Sequence, residues 1–139
     1  MNVPTQVKPL NGEVMDTLVR ASEMEWKQTS EKSFVKILYT GKESGSWTVL
    51  YRWLKGYRAK PHKHLGGSHT FLISGKLRVR DSVLKAGDYV YEANGMIHDE
   101  TEALEDTDYI FVCTGPIVYF EDGRISGLKT WEDVEKLRH

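Results

Sequence analysis

Turn signals recur in this chain too closely for helices to fit between them. "SFVKILY" (33–39) gives way to "TGKESGS", and "WTVLYRWL" (47–54) to "KGYRAKP". "HTFLI" (69–73) turns at "SGK" into "LRVR" (77–80). "DYVYEA" (88–93) ends at "NG", "DYIFVC" (108–113) at "TGP", and "IVYF" (117–120) at "EDGR". Short runs of β-branched and aromatic residues at this spacing predict an all-β sandwich or barrel. Two helices are expected outside it. One covers 12–24, where Val14, Leu18, Val19 and Ala21 stand at mixed helical spacing. The other is "TWEDVEKLRH", about 130–138. Thr130 can cap it, Glu132 and Asp133 open it, and Lys136 and Arg138 close it, as the helix dipole prefers.

The 139 residues suffice for one domain over 1–139, with a barrel core at about 30–122. A net charge of -1 argues against nucleic acid or an anionic membrane as partner. The N-terminus shows no secretory pattern, and no stretch approaches the roughly 18 apolar residues of a membrane span. With a single cysteine, Cys113, the expectation is a cytoplasmic protein. Sheet edges need cover, and the first 30 residues have no evident partner in the domain, so a homodimer is expected.

The chain has five histidines, and four of them lie between positions 62 and 98. His62 and His64 are two apart, so a strand would aim both rings into one space, a bidentate metal grip. His69 lies an odd number of positions beyond, but the Gly66-Gly67 turn breaks the parity and could return it to the same space. His98, in "NGMIHDE", would be a ligand from a distant strand. The alternation Tyr109, Phe111, Cys113 places these three in the barrel interior, Phe111 as core. Trp47, Tyr51 and Trp53 read as core or subunit interface rather than as a substrate platform.

The stretch "GYRAKPHKHLGGSHTFLISG" (56–75) resembles the first cupin motif, and "GDYVYEANGMIH" (87–98) resembles the second. Gly56, His62, His64, Gly75, Gly87, Gly95 and His98 match. The motif glutamate is replaced by His69, or by Ser68 in a shorter register, and the usual proline is Ala93. The resemblance implies a cupin double-stranded β-helix (jelly-roll) barrel with an N-terminal extension and a short C-terminal helix. From about residue 25 to 135 the chain is similar to the acetylacetone-cleaving and dihydroxyacetophenone dioxygenase group. That likeness implies an Fe(II) site on His62, His64 and His98, with His69 as a possible fourth ligand. It also implies Arg80, Thr101 and Tyr109 near the substrate, and a carboxylate at Glu92. Thr70 and Cys113 stand where that group carries bulkier rings. Arg80 reads equally as half of a local ion pair on an exposed strand, and Glu92 as a solvated edge residue.

Three neutral imidazoles leave the +2 of the ion uncompensated, which favours an anionic chelating ligand such as the enolate of a β-dicarbonyl or hydroxyketone. The expected activity is that of a mononuclear non-haem Fe(II) dioxygenase cleaving a C–C bond with O2. Zn(II) or another divalent transition metal also suits histidine ligands. The alternatives are a non-catalytic metal-binding cupin, acting as a sensor or small-ligand module, and a metal-dependent isomerase or lyase on the same barrel.

Overall fold

The computed structural model describes residues 17–98 and 100–138, the side chain of residue 98 excepted. The strands, in chain order, are β1 (Lys27–Ser30), β2 (Ser33–Thr40), β3 (Trp47–Trp53), β4 (Arg58–Ala59), β5 (His62–His64), β6 (Ser68–Ser74) and β7 (Lys76–Val79). They continue with β8 (Ser82–Lys85), β9 (Tyr89–Glu92), β10 (Ile97–His98), β11 (Thr101–Ala103), β12 (Thr107–Cys113), β13 (Ile117–Glu121) and β14 (Arg124–Lys129). One helix, α1 (Trp131–Lys136), follows. Every β-rich run expected from the sequence is a strand. The additional ones are mostly too short to show a period.

Three antiparallel sheets make up the barrel. The largest runs β1-β2-β3-β12-β6-β9; the others are β10-β5-β13-β14 and β4-β11-β7-β8. The alternation expected of half-buried strands is plain in β12. Thr107, Tyr109, Phe111 and Cys113 are buried, while Asp108, Ile110 and Val112 are less so. The opposing inward faces supply Val35, Val49, Trp47, Leu72 and Leu77, each at most 2% exposed. On the outer side, Arg52 donates from Nε and Nη2 to the two Asp108 carboxylate oxygens, each at 2.8 Å, across the β3–β12 pair.

Two boundaries differ from the sequence expectation. The barrel extends beyond 30–122. Lys27–Ser30, expected to lack a partner, pairs with β2, and β14 carries the β10-β5-β13-β14 sheet on to Lys129. The helix expected over 12–24 is not formed in its described part. Residues 17–24 hold only a 3₁₀ turn, Ala21–Glu23, with no buried residue to anchor a longer helix, and residues 12–16 lie outside the described ones. The C-terminal helix is as expected. The Thr130 hydroxyl accepts the Glu132 N–H at 3.2 Å, and the Asp133 carboxylate accepts the Thr130 N–H at 2.8 Å. Val134 and the Thr40–Glu135 hydrogen bond at 2.6 Å seat the helix against β2. Among the described residues no helix is long and apolar enough to cross a membrane.

The glycines that matched the motifs have a common physical reason. Gly56, Gly75, Gly87 and Gly95 all have positive φ, between 85° and 92°. Gly75, at φ 90°, is also pinned from outside. A Cβ there would lie 2.4 Å from both the Asp106 carbonyl oxygen and the Thr107 hydroxyl. Gly75→Ala is therefore expected to cost roughly 1–3 kcal/mol from the backbone conformation alone, and more from the clash. A lowered urea midpoint with an unchanged slope would show it. An unaltered midpoint would contradict this account of the turn.

Candidate functional site

The strand β5 is three residues long and paired on both sides. His62 stands opposite Tyr119 on β13, and His64 opposite Ile117. On the other side the backbone of His98 stands opposite His62. His62 and His64 therefore come from one strand, as the two-residue spacing requires, with ring centroids 5.0 Å apart. Cross-strand register brings the distant histidine to the same level. The His62 Nδ1–H donates to the Lys60 carbonyl at 2.7 Å, which fixes the tautomer and leaves the lone pair on Nε2.

Burial keeps both imidazoles neutral. His62 is held below the ordinary histidine value, mainly by desolvation. His64, with no exposed surface, is pushed down to about 4 by burial and then by His62. Neutral imidazole is the form that binds a metal. His64 Nδ1 lies 3.9 Å from Cys113 Sγ, whose own thiol donates to the Gly115 carbonyl at 3.2 Å. Burial pushes that thiol up to about 11, so it stays protonated.

The structure does not bring His69 to this group. On β6 the inward positions are Ser68, Thr70 and Leu72, while His69 and Phe71 point to the outer face. The His69 Nδ1 pairs there with the Tyr89 hydroxyl at 2.5 Å, and its ring lies 4.9 Å from that of Tyr91. The parity break at Gly66-Gly67 thus delivers Ser68, the shorter register, to the position of the motif glutamate. A carboxylate still arrives, from the neighbouring strand. Glu92 stands opposite Ser68, accepts its hydroxyl at 3.1 Å, and approaches His64 Nε2 to 3.7 Å. With His64 neutral this approach is a polar contact rather than an ion pair. Burial raises the Glu92 carboxyl to about 7, against the opposing effects of the Ser68 bond and the charge of Arg80.

Glu92 and His62 face a cavity of about 650 Å³, within the usual range for small-molecule sites. Thr101 and Tyr109 line it, 7% and 4% exposed. Burial raises the Tyr109 phenol well above its ordinary value, so it remains a hydrogen-bond donor. Arg80 is placed differently. It occupies the turn between β7 and β8 at φ 58°, exposed, with its guanidinium 3.4 Å from the Ile97 carbonyl and its charge felt at Glu92.

Residues that read as core or interface in the sequence also line the cavity. Tyr51 and Trp53 line it, although Trp47 of the same run is fully buried core. Tyr57, Tyr119 and Lys129 complete that wall. Shared parity of 47, 49, 51 and 53 along β3 was the available signal for Tyr51 and Trp53. Lys129 had none, because its strand contains Gly127 and mostly exposed residues.

Among the described residues no three His, Cys, Asp or Glu side chains are grouped closely enough to hold an ion, and the His98 side chain lies outside them. The donor chemistry nevertheless fits a divalent metal: two neutral imidazoles on one strand, one tautomer fixed by a backbone carbonyl, and a carboxylate alongside.

A small antiparallel barrel with an H-x-H strand under its cavity has the architecture of a cupin. The chain belongs to the family of ChrR cupin-like domains, which it matches over residues 14–118. It is 24% identical to an acetylacetone-cleaving enzyme of Acinetobacter johnsonii over 107 residues, 72% of this chain and 70% of that enzyme. The solved structure of a proposed acetylacetone dioxygenase of Methylibium petroleiphilum PM1 superposes with a TM-score of 0.84 at 27% identity, covering 91% of this chain and 96% of that one. An acetylacetone dioxygenase structure from Acinetobacter johnsonii shares the fold at a TM-score of 0.84 and 22% identity, covering 91% and 93%.

Placement of His69 on the outer face has a direct consequence. His69→Ala is expected to leave Zn(II) affinity, measured calorimetrically, unchanged. Glu92→Ala is expected to lower it about 10-fold or more, the usual effect of losing a group that supports a ligand. The reverse ordering would return His69 to the ligand set.

Proposed function

We propose that this chain is an Fe(II)-dependent dioxygenase that cleaves a C–C bond in a small β-dicarbonyl or hydroxyketone bound as its enolate. The observation that carries the reading is the histidine strand itself. His62 and His64 share β5, the β10 register sets the backbone of His98 opposite that of His62, and His62 lines an aromatic-walled cavity. The similarity to an acetylacetone-cleaving enzyme supports the same chemistry.

In this reading His62, His64 and His98 hold the ion. A ferrous ion there would supply the Lewis acidity that makes a dicarbonyl more acidic and the redox capacity that O2 chemistry requires. The protein's own groups do the rest. Tyr51, Trp53, Tyr109 and Phe111 pack with ring centroids 5.0–6.5 Å apart and give the substrate a rigid, largely apolar wall that displaces water. Glu92, fixed by Ser68, is the carboxylate beside His64 and is placed to accept the proton that enolisation releases. Tyr109 and Thr101 can donate hydrogen bonds to a substrate oxygen, and Arg80 offsets charge near Glu92.

The test has two readouts. The purified protein is expected to bind about one Fe(II) per chain. His62→Ala, His64→Ala and His98→Ala should each weaken metal binding by more than the roughly 10–100-fold typical of supporting residues. An oxygen electrode should record one O2 consumed per pentane-2,4-dione cleaved, and none with these variants. Metal binding without oxygen uptake across a panel of β-diketones and hydroxyketones would overturn the dioxygenase reading and leave a binding module.

A further inference from the structure

The far wall of the cavity holds a cation that the proposed chemistry does not use. Lys129 is the last residue of β14 and is half-buried, with Nζ 3.1 Å from the Tyr51 hydroxyl and 5.8 Å from the centre of its ring. It makes no ion pair with a carboxylate among the described residues. Its surroundings are phenols: Tyr51, Tyr57 and Tyr119. The proximity of Tyr51 raises the lysine against the opposing effect of burial, so the group stays charged. An ammonium withdrawn from water is costly unless something compensates its charge, and a neutral hydroxyl that only accepts a hydrogen bond compensates little.

Register says where this charge stands relative to the histidines. Ile117 on β13 is flanked by His64 on one side and by Lys129 on the other. Directly opposed residues of antiparallel strands share a face, so His64, Ile117 and Lys129 form one row across three strands. Neighbouring strands lie about 4.8 Å apart, which puts the Lys129 backbone roughly 10 Å from that of His64. His62, Ile117 and Lys129 all line the same cavity, and the charge of Lys129 is among the causes, after burial, that hold His62 low. A ligand anchored at the histidines therefore extends toward the ammonium, between aromatic walls.

We propose that Lys129, with the Tyr51 hydroxyl beside it, is a specificity-determining residue that selects substrates carrying a carboxylate a few carbon atoms from their enolisable dicarbonyl. A short diketo acid meets both requirements. Its dicarbonyl end sits at the histidines and its carboxylate neutralises Lys129. A neutral diketone of the same length leaves the ammonium uncompensated. This assignment rests on reading the cavity as the substrate site.

Calorimetry with anaerobic Fe(II)-loaded protein tests it, using 4,6-dioxoheptanoate and its neutral amide as probes. The acid is expected to bind at least about 10-fold more tightly than the amide, the value of a hydrogen-bonded charge in a partly dry site. Lys129→Arg should keep that preference, and Lys129→Met should reduce it to within about twofold, by the same reasoning. Equal affinities in the parent protein, or a preference that survives Lys129→Met, would overturn the assignment. A second arm needs no metal. NMR titration of the metal-free protein with hexanoate and hexanamide should show the same order and the same dependence on Lys129, and equal binding there would count against it. If neither diketone binds the loaded protein, the enolate reading fails, while the hexanoate arm still decides the role of Lys129.

Discussion

A strand of three residues held between two neighbours is the constraint on which this site depends. β5 has too few residues to be stable by itself, and no hydrophobic run predicts it. Its backbone is fixed by β10 on one side and β13 on the other, so the positions of His62 and His64 are properties of the whole sheet. The same ladders set the backbone of His98 and the side chains of Tyr119 and Ile117 around them. A slip of one residue in either pairing would turn both histidines to the other face. The positive-φ glycines that flank these strands hold the register by making the turns tight.

Electrostatically the cavity is divided. Near β5 burial drives four groups towards their neutral forms: the imidazoles of His62 and His64 down, the Glu92 carboxyl and the Cys113 thiol up. That end can receive a divalent ion without first releasing protons from its histidines. At the other end the Lys129 ammonium keeps its charge among phenols.

The longer strands were legible in the sequence because period-2 alternation of large residues survives in seven-residue strands such as β3 and β12. The motif glycines and histidines marked the candidate site. The short strands β4, β5, β10 and β11 have two or three residues each, and so no period to read. The place of His69 stayed open in the sequence because a glycine pair resets the strand phase by an unknown amount. Only the pairing of β6 with β9 shows that Ser68 faces inward and that Glu92 arrives across the ladder. Trp53 belongs to the core as expected and Tyr51 packs against it, yet both also line the cavity, because parity separates inside from outside and cannot separate core from cavity. Lys129 was invisible for a related reason. A lysine ending a glycine-containing hairpin normally lies in solvent, and only its pairing with Ile117 and its hydrogen bond to Tyr51 reveal that it faces the cavity.

That last arrangement separates two tasks along the chain. The histidines come from residues 62–98, while the opposite wall is supplied by β14 and the helix after it, with Asp133 and Leu137 joining Lys129 at the cavity. The C-terminal segment behaves as a cassette, attached through one hairpin and one capped helix and supplying none of the three histidines. Substitution or exchange within it offers evolution, or an engineer, a way to change which molecules this barrel admits while the inner end keeps its composition. Divergence among barrels built on this plan should accordingly concentrate in their closing segment.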